Sequence, residues 1–160
     1  MTPFTIRRAE ACDAETILSF VRGLAMEEKA GHEVEADPGQ IVETMFSENS
    51  TCHAVICEES GRPIGFAVYF FNYSTWQGKN GLYIEDLYIL PEFRNYGAGR
   101  KILKYLCNLA LTKDCGRVEW SVLNWNTPAI GFYDALGAEP LSEWIRYRLS
   151  GKPLSKMGTL

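Results

Sequence analysis

Leu82-Tyr83-Ile84-Glu85-Asp86-Leu87-Tyr88-Ile89-Leu90-Pro91-Glu92-Phe93-Arg94-Asn95-Tyr96-Gly97-Ala98-Gly99-Arg100 is the stretch on which the fold turns. Aromatic, branched and leucine side chains crowd Leu82 to Leu90, which reads as a strand, and Pro91 stops it because proline has no N–H for a ladder. From Gly97 the spacing becomes helical, with Ile102, Leu103, Leu106, Leu109 and Ala110 on one face and Lys101, Lys104 and Asn108 on the other. A strand, a tight turn and a helix start in succession make an anion site. Gly97 and Gly99 let the backbone approach a ligand closely, the helix aims unpaired N–H groups at it, and Arg94 and Arg100 add full charges. A diphosphate fits there. A P-loop does not, because Gly78-Lys79 is followed by Asn80. A dinucleotide fingerprint also fails, since Gly97-Ala98-Gly99 is followed by Ile102 where a third small residue belongs. Glu119 opens a strand where that fingerprint's ribose-binding acid should end one.

Working outward, Thr5 to Arg8 reads as a strand, and Ile17, Leu18, Val21, Leu24 and Ala25 mark a helix after Asp13. Asp37-Pro38-Gly39-Gln40 supplies an N-cap, a proline at the first helical position and a glutamine three residues after the cap. Cys52 to Cys57 and Ile64 to Tyr73 form a hairpin about Ser60-Gly61-Arg62-Pro63, and the loop Ser74 to Gly81 leads into the Leu82 strand. Beyond the central helix, which Gly116 is expected to close, Arg117 to Leu123 is a strand. Asn126 caps a helix running to about Leu136, Gly137 takes the left-handed position after it, and Trp144 to Leu149 is a last strand. The order β-α-α-β-β-β-α-β-α-β predicts an α/β (α+β) domain over residues 1–150, a mixed sheet with helices on its faces, and a loose tail over 151–160.

With 160 residues, 46% apolar and 12% aromatic, the chain has enough apolar surface for one core. Its longest apolar run, Gly65 to Phe71, is far below the roughly 20 residues of a membrane span, and no basic-then-apolar segment opens it, so the expected place is the cytoplasm. Cys12, Cys52, Cys57, Cys107 and Cys115 are odd in number and without a C-x-x-C pair, which favours reduced thiols. His32 and His53 lie far apart, so no metal is expected. The net charge of −4 disfavours nucleic acid. It hides a division: residues 1–60 carry four basic and twelve acidic side chains, the remainder twelve and eight. Glu27, Glu28, Glu33, Glu35 and Asp37 crowd one helix end and its loop, a pattern that suits either a solvated face or a cationic ligand.

R-x-x-G-x-G after a strand resembles the acetyl-CoA motif of the GCN5-related N-acetyltransferases. Asn124-Trp125-Asn126-Thr127-Pro128-Ala129-Ile130-Gly131-Phe132-Tyr133, followed by Leu136-Gly137-Ala138, is similar to that family's second motif. Ile6-Arg7, Gly65-Phe66-Ala67, Tyr73 to Gly78 and Leu-Tyr-x-Glu-Asp extend the likeness to diamine acetyltransferases, so it spans about residues 4–149. The resemblance implies direct acetyl transfer from acetyl-CoA to a primary amine. Backbone groups of Leu87, Tyr88 and Ile89 would pair with the pantetheine arm. Arg94, Asn95, Tyr96, Gly97, Ala98, Gly99 and Arg100 would hold the diphosphate, and Asn126, Thr127, Pro128 and Ala129 would touch the cofactor.

An amine that binds protonated must lose a proton before attack, and Glu85, beside Asp86, is the candidate base. Tyr133 matches the family's acid, which protonates the departing sulfur. Glu27, Glu28, Glu85, Asp86, Glu119, Trp120, Ser121 and Glu143 are the candidate residues around the cationic amine, although Glu27 stands where the polyamine enzymes carry an aromatic residue. Trp76 belongs to the substrate wall or to a dimer contact, and the likeness implies a homodimer. Two rivals stay open: an acetyl-CoA-binding regulator without turnover, and an acetyltransferase of protein amines.

Overall fold

The computed structural model describes residues 4–159, which fall into two compact units, one up to Ser121 and one from Val122. In the first, β1 (Thr5–Arg8), β2 (Cys52–Glu59), β3 (Arg62–Ser74), β4 (Lys79–Ile89) and β5 (Val118–Trp120) form one sheet in chain order. The first four strands are antiparallel, and β5 runs parallel to β4, as the crossover through α3 (Ala98–Thr112) requires. α1 (Ala14–Glu27) and α2 (Pro38–Met45) cover one face, where Ile17, Leu18, Phe20 and Ile41 bury against Ala54, Ile56, Phe66 and Val68. Alternation sends Val55, Cys57, Ala67 and Tyr69 to the other face, where Lys101 and Tyr105 of α3 lie beside Cys57 and Tyr69.

Local chemistry explains the element ends. Asp37 Oδ1 accepts from Gln40 N at 3.0 Å while Gln40 Oε1 accepts from Asp37 N at 3.1 Å, the reciprocal cap that Asp37-Pro38-Gly39-Gln40 announces. Ser60 and Gly61 both take positive φ, which gives the two-residue turn between β2 and β3. Arg7 reaches Asp13 with two bonds of 2.7 and 2.8 Å and Glu58 at 2.7 Å, tying β1 to the start of α1 and to β2. That contact lowers the buried Asp13 carboxyl below its ordinary range, chiefly through the Arg7 hydrogen bonds.

Gly65 lies tight against β4: a Cβ there would lie 2.5 Å from the Tyr88 carbonyl oxygen, a backbone atom that cannot swing aside. Gly65→Ala is therefore expected to cost about 3 kcal/mol and lower the melting temperature by about 10 °C, measured by thermal denaturation.

Four expectations are corrected. Gly116 does not close α3. Asp114 takes the left-handed φ of 52°, with Cys115 N bonded to Ala110 O and Asp114 N to Leu111 O, so the helix ends two residues earlier. A Cβ on Gly116 would meet only the end of the exposed Gln77 side chain, which can swing aside. The strand after α3 is only Val118–Trp120, not Arg117 to Leu123.

The second unit contains α4 (Thr127–Asp134) and α5 (Gly151–Gly158) and no strand over 144–149. Alternation gives those residues strand propensity, but a strand exists only in a ladder, and Trp144, Ile145, Tyr147 and Leu149 stand exposed without one. Residues 151–158 form a helix rather than a loose tail. Gly151, Pro153 and Gly158 hide it, because each lowers helix propensity.

Candidate active site

β4 does not run in register from end to end. Val68 pairs with Asp86 but Tyr69 pairs with Ile84, so Glu85 is an extra residue in a bulge. Cross-strand partners share a face, so Asp86 falls on the α1 face with Val68, while Ile84 lies on the α3 face with Tyr69. Glu85 is exposed and Asp86 half-buried. Burial, and then the charges of Glu85 and Glu28, push the Asp86 carboxyl up to about 6.

α1 brings Glu27 and Glu28 to the same face. Its last turn closes with Lys29 at φ 61° and Ala30 N bonded to Ala25 O, so Glu28 sits at the cap among the helix's unpaired carbonyls. Burial and the neighbouring Glu27 raise the Glu28 carboxyl. Further along the sheet, Tyr83 pairs with Glu119 and its Oη lies 2.8 Å from Ser121 Oγ. Glu119 accepts from Asn72 Nδ2 at 3.2 Å and lies 3.0 Å from Arg117 Nε, so part of its charge is already met. Trp120, expected beside Glu119 and Ser121, pairs with Ile84 and so faces the opposite side of the sheet.

β5 follows β4 only from Leu82 to Ile84. Past that point, Glu85 to Ile89 has β3 on one side and, among the described residues, no strand on the other. The Tyr88 side chain is buried under α1, leaving only its backbone to face that edge. The loop beyond alternates hand: Asn95 has φ 67° and Gly97 φ 92°, and no side chain caps the N-terminus of the fifteen-residue α3. Successive backbone N–H groups in such a loop form an anion-binding concavity. Arg100 is exposed in α3's first turn and Ala98 is buried beneath it.

Arg94, expected on the diphosphate, donates from its Nε to Ile89 O at 2.8 Å and from its Nη2 to Glu27 Oε1 at 2.6 Å. Its guanidinium lies 5.3 Å from the Tyr88 ring centroid.

In the second unit, Asn126 Oδ1 accepts from Ala129 N at 3.3 Å and caps α4, whose first turn is Thr127, Pro128 and Ala129. Tyr133 is half-buried on α4, its ring 5.4 Å from that of Phe132. Glu143 is exposed in irregular chain. Sequence reading missed Asn72 and the Tyr83–Ser121 pair, which no short motif marks. Gly23 carried a signal, a lone glycine inside an amphipathic helix, whose partner only the structure shows.

The model of the Acetyltransferase (GNAT) family matches residues 18–138. The thialysine N-epsilon-acetyltransferase of Mus musculus is 34% identical over 98% of both chains, and that of Caenorhabditis elegans is 34% identical over 98% of both. The spermidine/spermine N(1)-acetyltransferase-like protein 1 of Homo sapiens is 33% identical over 98% of this chain and 24% of its own length. An integron cassette protein from the mobile metagenome of V. cholerae shares the fold, with a TM-score of 0.83 over the whole of both chains at 23% identity.

Proposed function

The chain belongs to the GNAT acetyltransferase family and is an N-acetyltransferase, and from that premise we propose that it moves the acetyl group of acetyl-CoA to a primary amine of a small cationic acceptor, a diamine or a thialysine-like amino acid. The observation that carries this reading is the set of carboxylates on one sheet face, Glu28 and Asp86 with Glu85 in the bulge beside them. The residues suit the donor. The left-handed pair Asn95 and Gly97 and the uncapped α3 N-terminus fit a diphosphate, and the open edge from Glu85 to Ile89 fits an amide-bearing arm that pairs like a strand.

Acetyl-CoA supplies an activated acyl thioester; the chain's part is to orient an amine and move protons. Glu28, Asp86 and Glu85 draw in the ammonium by charge. One of Glu85 and Asp86 then accepts its proton, and of the two Asp86, at about 6, matches a general base working near neutral pH. Tyr133 donates to the departing sulfur. Leu87 and Ile89 offer backbone groups to the arm, and Asn126 and the first turn of α4 complete the cofactor contacts. Following the diamine acetyltransferases that it resembles, we also infer a cytoplasmic homodimer; the 87% exposure of Trp76 is in keeping with a covered surface.

Thiol release from acetyl-CoA, followed against spermine, spermidine, putrescine, lysine, thialysine and one basic peptide, tests the proposal. Turnover with one of the small amines is expected. Tight acetyl-CoA binding with no release would make the protein a regulator, and turnover with the peptide alone would make its acceptor a protein. Gly97→Ala tests the loop. A Cβ there meets no protein atom, so the expected cost to folding is only the left-handed strain of about 1–2 kcal/mol, while acetyl-CoA affinity by calorimetry should fall about tenfold.

A further inference from the structure

We propose that Arg94 is a positioning residue of the amine site, clamping the last turn of α1 to the end of β4 through Glu27, rather than a ligand of the diphosphate. The proposal rests on the amine-acetylating reading above and assigns to Arg94 and Glu27 roles that neither the motif nor the charge pattern suggested.

Phe20, Gly23 and Glu27 lie on one stripe of α1, at spacings of three and four residues. Beneath the stripe is the Tyr88 ring. Its centroid is 6.1 Å from that of Phe20, and a Cβ on Gly23 would sit 2.7 Å from Tyr88 Oη, so only glycine lets the helix settle there. Arg94 lies over the same ring and reaches past it to Glu27, while its Nε holds the Ile89 carbonyl. Helix, ring and guanidinium are thus stacked, with one ion pair closing the stack. Two consequences follow for an approaching ammonium. Glu27 is already paired, so Glu28, Glu85 and Asp86 supply the attraction. The helix end that carries Glu28, which closes on a strained left-handed Lys29, is held in place from below.

The test is a double-mutant cycle on Glu27→Gln and Arg94→Ala, reading the amine KM by thiol release and acetyl-CoA Kd by calorimetry without amine. Each single variant is expected to raise the amine KM about five- to tenfold, the double variant no more than the worse single, and Glu27→Gln to leave acetyl-CoA Kd within about twofold. If Glu27 itself holds the amine, Arg94→Ala will leave the amine KM unchanged or lower it. If Arg94 serves only the diphosphate, Arg94→Ala will weaken acetyl-CoA binding and leave the amine KM alone. Either result overturns the proposal. Should wild-type protein acetylate no amine, the acceptor reading falls, but the clamp is still measurable by amide hydrogen exchange. Glu28 and Ala30, whose N–H groups bond to Leu24 and Ala25 carbonyls, should exchange about tenfold faster in both variants. Unchanged exchange would leave no clamp.

Discussion

Above pH 6, Asp86→Asn is expected to melt several degrees higher than the wild type and to acetylate amines about a hundredfold more slowly. The two effects have one cause. Asp86 is half-buried beside Glu85 and Glu28, so its carboxyl ionises at about 6 in the folded chain instead of at the ordinary 3.8. Between those values the folded state keeps a proton that the unfolded chain has lost. Stability therefore falls as pH rises through that window and stays low above it. The full linkage is about 3 kcal/mol, which partial solvent access reduces to roughly half. Asparagine keeps the shape without the charge and recovers that energy, about 3–6 °C in a chain of this size. The difference should shrink as pH falls and vanish only below about 3.8, where residue 86 is neutral in the folded and unfolded chains alike. Melting curves from pH 4 to 8 check this, and a gain equal at every pH would point to packing rather than charge. The rate loss follows because the amide accepts no proton. If the alkaline-rising limb of the pH–rate profile instead moves with Glu85→Gln and survives Asp86→Asn, the proton goes to Glu85.

What the sequence made legible were features whose cause is local. The β4 strand, Pro91, the alternating loop and α3 are read from residues within one stretch, as are the Asp37 and Asn126 caps and the Ser60-Gly61 turn. The bulge at Glu85 was not readable, because the register of β3 sets it, and with it the choice between Glu85 and Asp86 for the buried face. Arg94 was read from its motif, yet its partner comes from α1, 67 residues away. Trp120 is a different case. Period-two alternation sets it on the opposite side of the strand from Glu119 and Ser121. Residues 144–149 have the alternation of a strand but no ladder, and α5 forms despite two glycines and a proline.

Tyr133→Phe should lower kcat about a hundredfold while leaving acetyl-CoA Kd within about twofold. Phenylalanine keeps the residue's backbone bonds and its ring contact. Tyr133 O accepts from Leu136 N at 3.0 Å and Ala138 N at 3.2 Å, closing α4 before Gly137 at φ 83°, and the ring keeps its contact with Phe132. Seven residues separate Tyr133 from the cap Asn126, which along a helix is about 10 Å of rise and a return to nearly the same side. Tetrahedral collapse places charge on sulfur only as the bond breaks, so the phenol's proton is needed in the transition state and not in the bound complex. Binding and rate must therefore separate. Unchanged kcat would remove Tyr133 from proton donation, and a raised Kd at unchanged kcat would make its hydroxyl a binding group for the donor.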